Sequence, residues 1–134
     1  MEYKNTGATD EQIKVNKTVL VVDDSEMMCF LVKSILENKY KIVIKSDGED
    51  ALTYLIEGNR PNLILLDMLM PKMNGRIFVR RVQADPRIGK IPIIFITSVD
   101  SVLLMNSFKA KGVDYITKPF VDEDLLKKVN DILK

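Results

Sequence analysis

The chain has 134 residues, with twenty Lys plus Arg against nineteen Asp plus Glu, one cysteine, no histidine and no tryptophan. That inventory suits one compact domain and excludes a Ser-His-Asp or Cys-His nucleophilic pair, a disulfide framework and a Cys/His zinc site. A net charge of +1 gives no broad basic face for nucleic acid, and apolar runs of four to five residues fall far short of the roughly 20 that a membrane helix needs.

Residues 1–17 are polar and without sustained periodicity, and are expected to be a flexible extension lacking a secretory signal pattern. From Thr18 onward, five short apolar runs alternate with longer amphipathic stretches. The first run, Thr18 to Val22, is followed by a helix over about Ser25 to Glu37. The second, Lys41 to Lys45, alternates charged and apolar residues, which predicts a strand at a sheet edge. A helix over Gly48 to Glu57 follows, then a third strand over Leu63 to Leu66 and a third helix over Gly75 to Gln83. The fourth strand spans Pro92 to Thr97 and its helix Ser101 to Ala110. The fifth strand, Asp114 to Thr117, leads into a last helix over Asp122 to Leu133. That helix carries three acids in its first turn and lysines further along, as the helix dipole favours.

The runs other than the second are continuously apolar or nearly so, the pattern of strands covered on both faces. Strand and helix alternate five times, and the right-handed crossover rule then leads to an open, doubly wound α/β sheet. Ligands of such sheets bind outside the carboxyl ends of the strands. The residues at those ends are Asp23-Asp24, Asp67, Thr97-Ser98 and Lys118-Pro119. If strands one, three, four and five are neighbours, three carboxylates, a hydroxyl and an ammonium converge. Carboxylates that close repel unless a cation is present, and a hard divalent ion such as Mg²⁺ takes carboxylate and phosphate oxygens. A carboxylate can also act as a nucleophile toward phosphorus, and phosphoryl transfer asks the protein mainly for positioning and charge neutralisation.

The runs Val-Leu-Val-Val-Asp23-Asp24-Ser, Leu-Ile-Leu-Leu-Asp67-Met-Leu-Met-Pro71-Lys-Met-Asn-Gly75, Ile-Pro-Ile-Ile-Phe-Ile-Thr97-Ser98 and Gly112-Val-Asp-Tyr115-Ile-Thr-Lys118-Pro119-Phe stand in order. Together they resemble the receiver domain of bacterial two-component response regulators, over about Lys17 to Lys134. The resemblance implies a flavodoxin-like fold of five parallel strands in the order 2-1-3-4-5 with five helices, the domain occupying 18–134. It implies Asp67 as the phosphoacceptor, and Asp24, Asp67 and the main-chain carbonyl of Leu69 as direct ligands of Mg²⁺ or Mn²⁺. Asp23 would bind directly or through water. Lys118 would pair with the phosphoryl oxygens beside a cis Lys118-Pro119 peptide. Thr97 and Tyr115 would form the switch. Leu69 and Val99 stand two residues after Asp67 and Thr97, where some family members carry groups that orient an attacking water. Slow loss of the phosphoryl group is expected from their apolar character.

The resemblance further implies a sensor histidine kinase or phosphotransfer protein as donor. The readout would be a changed surface of the fourth predicted helix, fifth strand and fifth predicted helix, acting on a downstream effector or an attached output domain. Direct nucleic-acid or membrane binding by this domain is not expected, a cytoplasmic location is, and phosphorylation-dependent homodimerisation is compatible with it. Such a domain assists its own modification without being a conventional enzyme. Two rival readings share the fold. An aspartate-nucleophile phosphohydrolase of the haloacid-dehalogenase type needs a second acid where Leu69 stands, and a flavodoxin needs a hydroxyl-rich phosphate loop where Asp23-Asp24-Ser25-Glu26 stands. Each cue has a plainer meaning by itself: Asp-Ser before a helix is usually a cap and Lys-Pro a turn. Met68, Met70, Met73 and Cys29 read as packing.

Overall fold

The structure is a computed structural model that describes residues 16–98 and 113–134. In chain order the described elements are β1 (Thr18–Val22), α1 (Glu26–Leu36), β2 (Lys41–Lys45), α2 (Gly48–Ile56), β3 (Leu63–Asp67), α3 (Gly75–Ala84), β4 (Ile93–Ser98), β5 (Val113–Lys118) and α4 (Asp122–Leu133). All strand pairs are parallel, in the order β2-β1-β3-β4-β5. The flavodoxin-like topology is therefore the observed one, with the alternating strand β2 at an edge. The extension over 1–15, the helix over 101–110 and the position of Val99 lie outside the described residues.

The central strands β1, β3 and β4 are apolar along nearly their whole length because each face of the sheet is covered. Leu20, Val22, Ile64, Leu66, Ile93 and Phe95 pack on one side with Leu55 of α2 and Phe78, Val79 and Val82 of α3. Val19, Val21, Leu63, Leu65, Ile94 and Ile96 face the other side, against Val32 and Leu36 of α1 and Leu125 and Val129 of α4. The period-two alternation of strand side chains divides one continuous apolar run between two cores. Each helix starts at a readable signal. Ser25 Oγ accepts from the Met28 amide, Asp47 Oδ1 from Asp50, and Asn74 Oδ1 from Ile77, each satisfying a donor that the first turn leaves open. The last helix lacks a side-chain cap, but Asp122, Glu123 and Asp124 supply the negative charge its positive end favours.

The opposite end of the sheet is tied shut. Lys17 donates through Nζ to the carbonyl of Leu133, and the buried Tyr40 hydroxyl donates to Asn130 of α4. These contacts hold the carboxyl end of α4 beside β1 and the α1–β2 turn.

Candidate functional site

Strand register brings the strand-end residues together. Val22 pairs with Leu66 and Asp67 with Ile96, so Asp23, Asp67 and Thr97 leave three adjacent strands at nearly the same height. Ser98 pairs with Lys118, adding the fourth strand. One carboxylate oxygen from each of Asp23, Asp24 and Asp67 lies within 4.8 Å of the others. Lys118 Nζ stands 3.7 Å from Asp67 Oδ1. The Lys118-Pro119 peptide is cis.

The three acids have different surroundings. Asp23 is buried, and its Oδ1 accepts from the Ser25 amide at 2.9 Å; its own amide donates to the Lys45 carbonyl at 3.2 Å. Burial pushes its carboxyl pKa up, a rise opposed by the Ser25 amide and Lys118 and reinforced by Asp24. Asp24 is exposed. The Asp67 side chain is 12% exposed, its Oδ1 accepting from the Leu69 amide at 3.3 Å. Burial raises its pKa, and the neighbouring charge of Asp23 raises it further against the pull of Lys118. Two desolvated carboxylates facing a third form a set that a divalent cation with oxygen preference would relieve, so these residues fit such an ion. A second polar group is unsettled: Thr97 Oγ1 is buried without a hydrogen-bond partner among the described residues. Tyr115 is partly exposed on β5, at the strand's outer edge of the sheet.

The loop from Asp67 to α3 holds features that the residue pattern did not single out. The Met73 amide donates to the Pro71 carbonyl at 2.7 Å, closing a γ-turn around Lys72, whose φ is +70°. Left-handed backbone costs an L-residue roughly 1–2 kcal/mol, only part of which glycine's greater unfolded freedom cancels. Lys72→Gly is expected to stabilise the protein by about 0.5 kcal/mol, raising its urea midpoint at unchanged slope. Gly75, read from sequence as a helix opener, has a second task. Its amide donates to the Met68 carbonyl at 2.8 Å, and a Cβ there would lie 3.0 Å from the Asp67 carbonyl oxygen. The Asn-Gly pair was the available signal, but closeness to Asp67 depends on how the loop folds back.

Comparison with known proteins agrees with this geometry. A family model described as "Response regulator receiver domain" matches residues 19–130. The chain belongs to that family. Protein PilH of Pseudomonas aeruginosa is 32% identical over 116 residues, a match covering 86% of this chain and 96% of PilH. A histidine kinase of Formosa agariphila is 30% identical over 122 residues, covering 90% of this chain and 9% of the kinase. The chain spans about half the length of several further curated relatives, among them regulatory proteins. Among solved structures, the chemotaxis response regulator CheY4 of Vibrio cholerae superimposes with a TM-score of 0.79 at 31% identity, covering 88% of this chain and 99% of that one. The receiver domain is a phosphorylation-activated signalling switch, a function that a phosphohydrolase reading does not match. No helix among the described residues is long and apolar enough to cross a membrane.

Proposed function

We propose that Asp67 is the phosphoacceptor of this receiver domain, and that Asp23, Asp24, Asp67 and the Leu69 carbonyl hold Mg²⁺ or Mn²⁺ beside it. The observation that carries this reading is the meeting of three carboxylates within 4.8 Å with Lys118 at 3.7 Å from Asp67. The bound cation would supply charge neutralisation for both the carboxylates and the phosphoryl oxygens. Asp67 Oδ attacks phosphorus while the phosphorus–nitrogen bond to the donor imidazole breaks, and the imidazole leaves with the bonding pair. Lys118 meets the negative charge gathering on the phosphoryl oxygens. The Thr97 hydroxyl, buried without a hydrogen-bond partner among the described residues, has a hydrogen bond to give to that group, and Tyr115 on the neighbouring strand follows its movement.

The donor is a histidine kinase or phosphotransfer protein, as the receiver family implies. Receiver domains are switches rather than conventional enzymes, and this one acts on its own carboxylate. The surface that changes includes β5 and α4, where a cavity of about 390 Å³ is lined by Tyr115, Thr117, Asp124 and Lys128. An effector, an attached output domain or a second copy would read that face. A cytoplasmic setting matches both the donor and the reduced, buried Cys29.

Incubation with Mg²⁺ and acetyl phosphate, followed by intact mass measurement, tests the reading. One phosphoryl adduct that requires the metal supports it; an adduct carried elsewhere after peptide mapping overturns it. The adduct should also be slow to hydrolyse. Leu69 is largely exposed at the mouth of the site and offers no group to hold an attacking water. Leu69→Asn should speed autodephosphorylation by about tenfold, less than the roughly 10²–10⁴-fold of a fully positioned acid or base, because an amide orients the water without taking its proton. An unchanged or slower decay in a phosphate-release assay would count against this role.

A further inference from the structure

The helix α3 has a charge pattern that its own stability does not explain. Lys72 to Lys90 contains six cations and one acid, although the whole chain is +1, so the remainder is net acidic. Within α3 are Arg76, Arg80 and Arg81 and no acid, and its first turn lacks the negative charge that the helix dipole favours. Arg76 and Arg80 are a like-charged i, i+4 pair, which is locally unfavourable. By contrast, α4 sets Lys127 against Asp131 at that spacing, 3.1 Å apart. Arg80 and Arg81 are exposed and make no ion pair among the described residues. Two exposed guanidinium groups that meet no acid among the described residues point to a use outside the chain.

The geometry of the face narrows the partner. Gly75, Phe78, Val79 and Val82 turn into the core, leaving Ile77 and Ala84 outward, seven residues apart and so on one line along the helix. Ile77 is 42% exposed. At 3.6 residues per turn, Arg76 and Arg80 lie on one side of that line and Arg81 on the other. The result is a narrow apolar seam between arginine rails. Phosphates of a nucleic acid would gain nothing from the seam. A membrane surface would find too little apolar area in one Ile and one Ala. Guanidinium groups suit paired recognition of carboxylates.

We propose that this face docks an acidic amphipathic helix of a partner protein, its carboxylates on Arg80 and Arg81 and its small apolar side chains along Ile77 and Ala84. The inference does not depend on which residue accepts the phosphoryl group.

The test uses the full chain and three labelled probes: a synthetic helical peptide with a leucine-alanine seam flanked by glutamates, a scrambled peptide of the same composition, and duplex DNA. Vesicles containing phosphatidylserine are a fourth arm. Fluorescence anisotropy should show the helical peptide binding more tightly than the scrambled one. Arg80→Glu with Arg81→Glu should weaken it by about tenfold, whereas Lys39→Glu with Lys41→Glu, an equal charge change on another surface, should not. Ile77→Gln should weaken it with the charges left in place. The double reversal also removes the Arg76–Arg80 repulsion, so the variant should remain folded by circular dichroism. Equal binding of the scrambled peptide, equal loss in the Lys39/Lys41 control, tighter binding of DNA or vesicles, or no binding of the helical peptide would each overturn the proposal.

Discussion

Replacing Asp67 by Asn is expected to abolish the metal-dependent phosphoryl adduct and, at the same time, to raise the melting midpoint of the metal-free protein. The first effect follows from loss of the nucleophile, since an amide oxygen cannot take its place. The second follows from electrostatics. Asp67 is desolvated and faces Asp23, so its folded pKa lies above the ordinary 3.8. A carboxyl group raised in this way binds its proton more tightly in the folded state. Its cost is absent at pH below the ordinary value and grows as pH rises through the interval up to the folded pKa, remaining in full at neutral pH. In chelator, the wild-type midpoint should therefore fall over that interval, and Asp67→Asn should fall less. Added Mg²⁺ should stabilise the wild type and have much less effect on the variant, because binding to the folded state alone shifts stability by mass action. Differential scanning calorimetry with and without chelator reads all three quantities. A variant that keeps its adduct, or that melts below wild type in chelator, would remove Asp67 from the site described above.

Gly75→Ala should be the most damaging single-methyl change near the site. The added Cβ would stand 2.5 Å from Phe95 Cε1 and 3.0 Å from both the Asp67 carbonyl oxygen and the Met68 Cα. The Phe95 ring is fully buried and the other two atoms are backbone, so no flexible side chain can yield. Overpacking of this kind costs about 2 kcal/mol, more than alanine's helix-propensity advantage over glycine returns. A melting midpoint lower by roughly 8 °C is expected for a domain of this size. The displacement also reaches Asp67 directly, and a shift approaching 1 Å at a reacting group costs about a hundredfold in rate. Phosphorylation by acetyl phosphate should slow by roughly ten- to a hundredfold even below the melting range. Normal stability with a normal rate would show that the loop accommodates the methyl group, and that Gly75 has no part in placing the acceptor.

These two variants separate what was legible in the residues from what was not. Asp67 stands out because a lone acid closes an apolar strand, and such a strand end is where this class of sheet binds ligands. Gly75 looks like an ordinary start to a helix. Its importance comes from Phe95, twenty positions along the chain on another strand, and from a loop that returns over Met68. Lys72 is similar, since no rule of composition marks a lysine for left-handed backbone. The fourth predicted helix and Val99 lie outside the described residues, so their expectations stand without a structural counterpart.

Sequence alone determined the alternation of strand and helix, the edge position of β2, the Asp-Ser cap before α1 and the identity of the residues at the strand ends. Those follow from local pattern, because a strand buried on both faces must be apolar throughout and an edge strand need not be. Tertiary structure decided the rest: that three carboxylates meet within 4.8 Å, that Lys118 reaches Asp67, that Asp23 is buried while Asp24 is exposed, and that Arg80 and Arg81 of α3 stand exposed on either side of a seam. Desolvation and repulsion depend on what surrounds a group in space. Strand order and register bring those surroundings from distant parts of the chain.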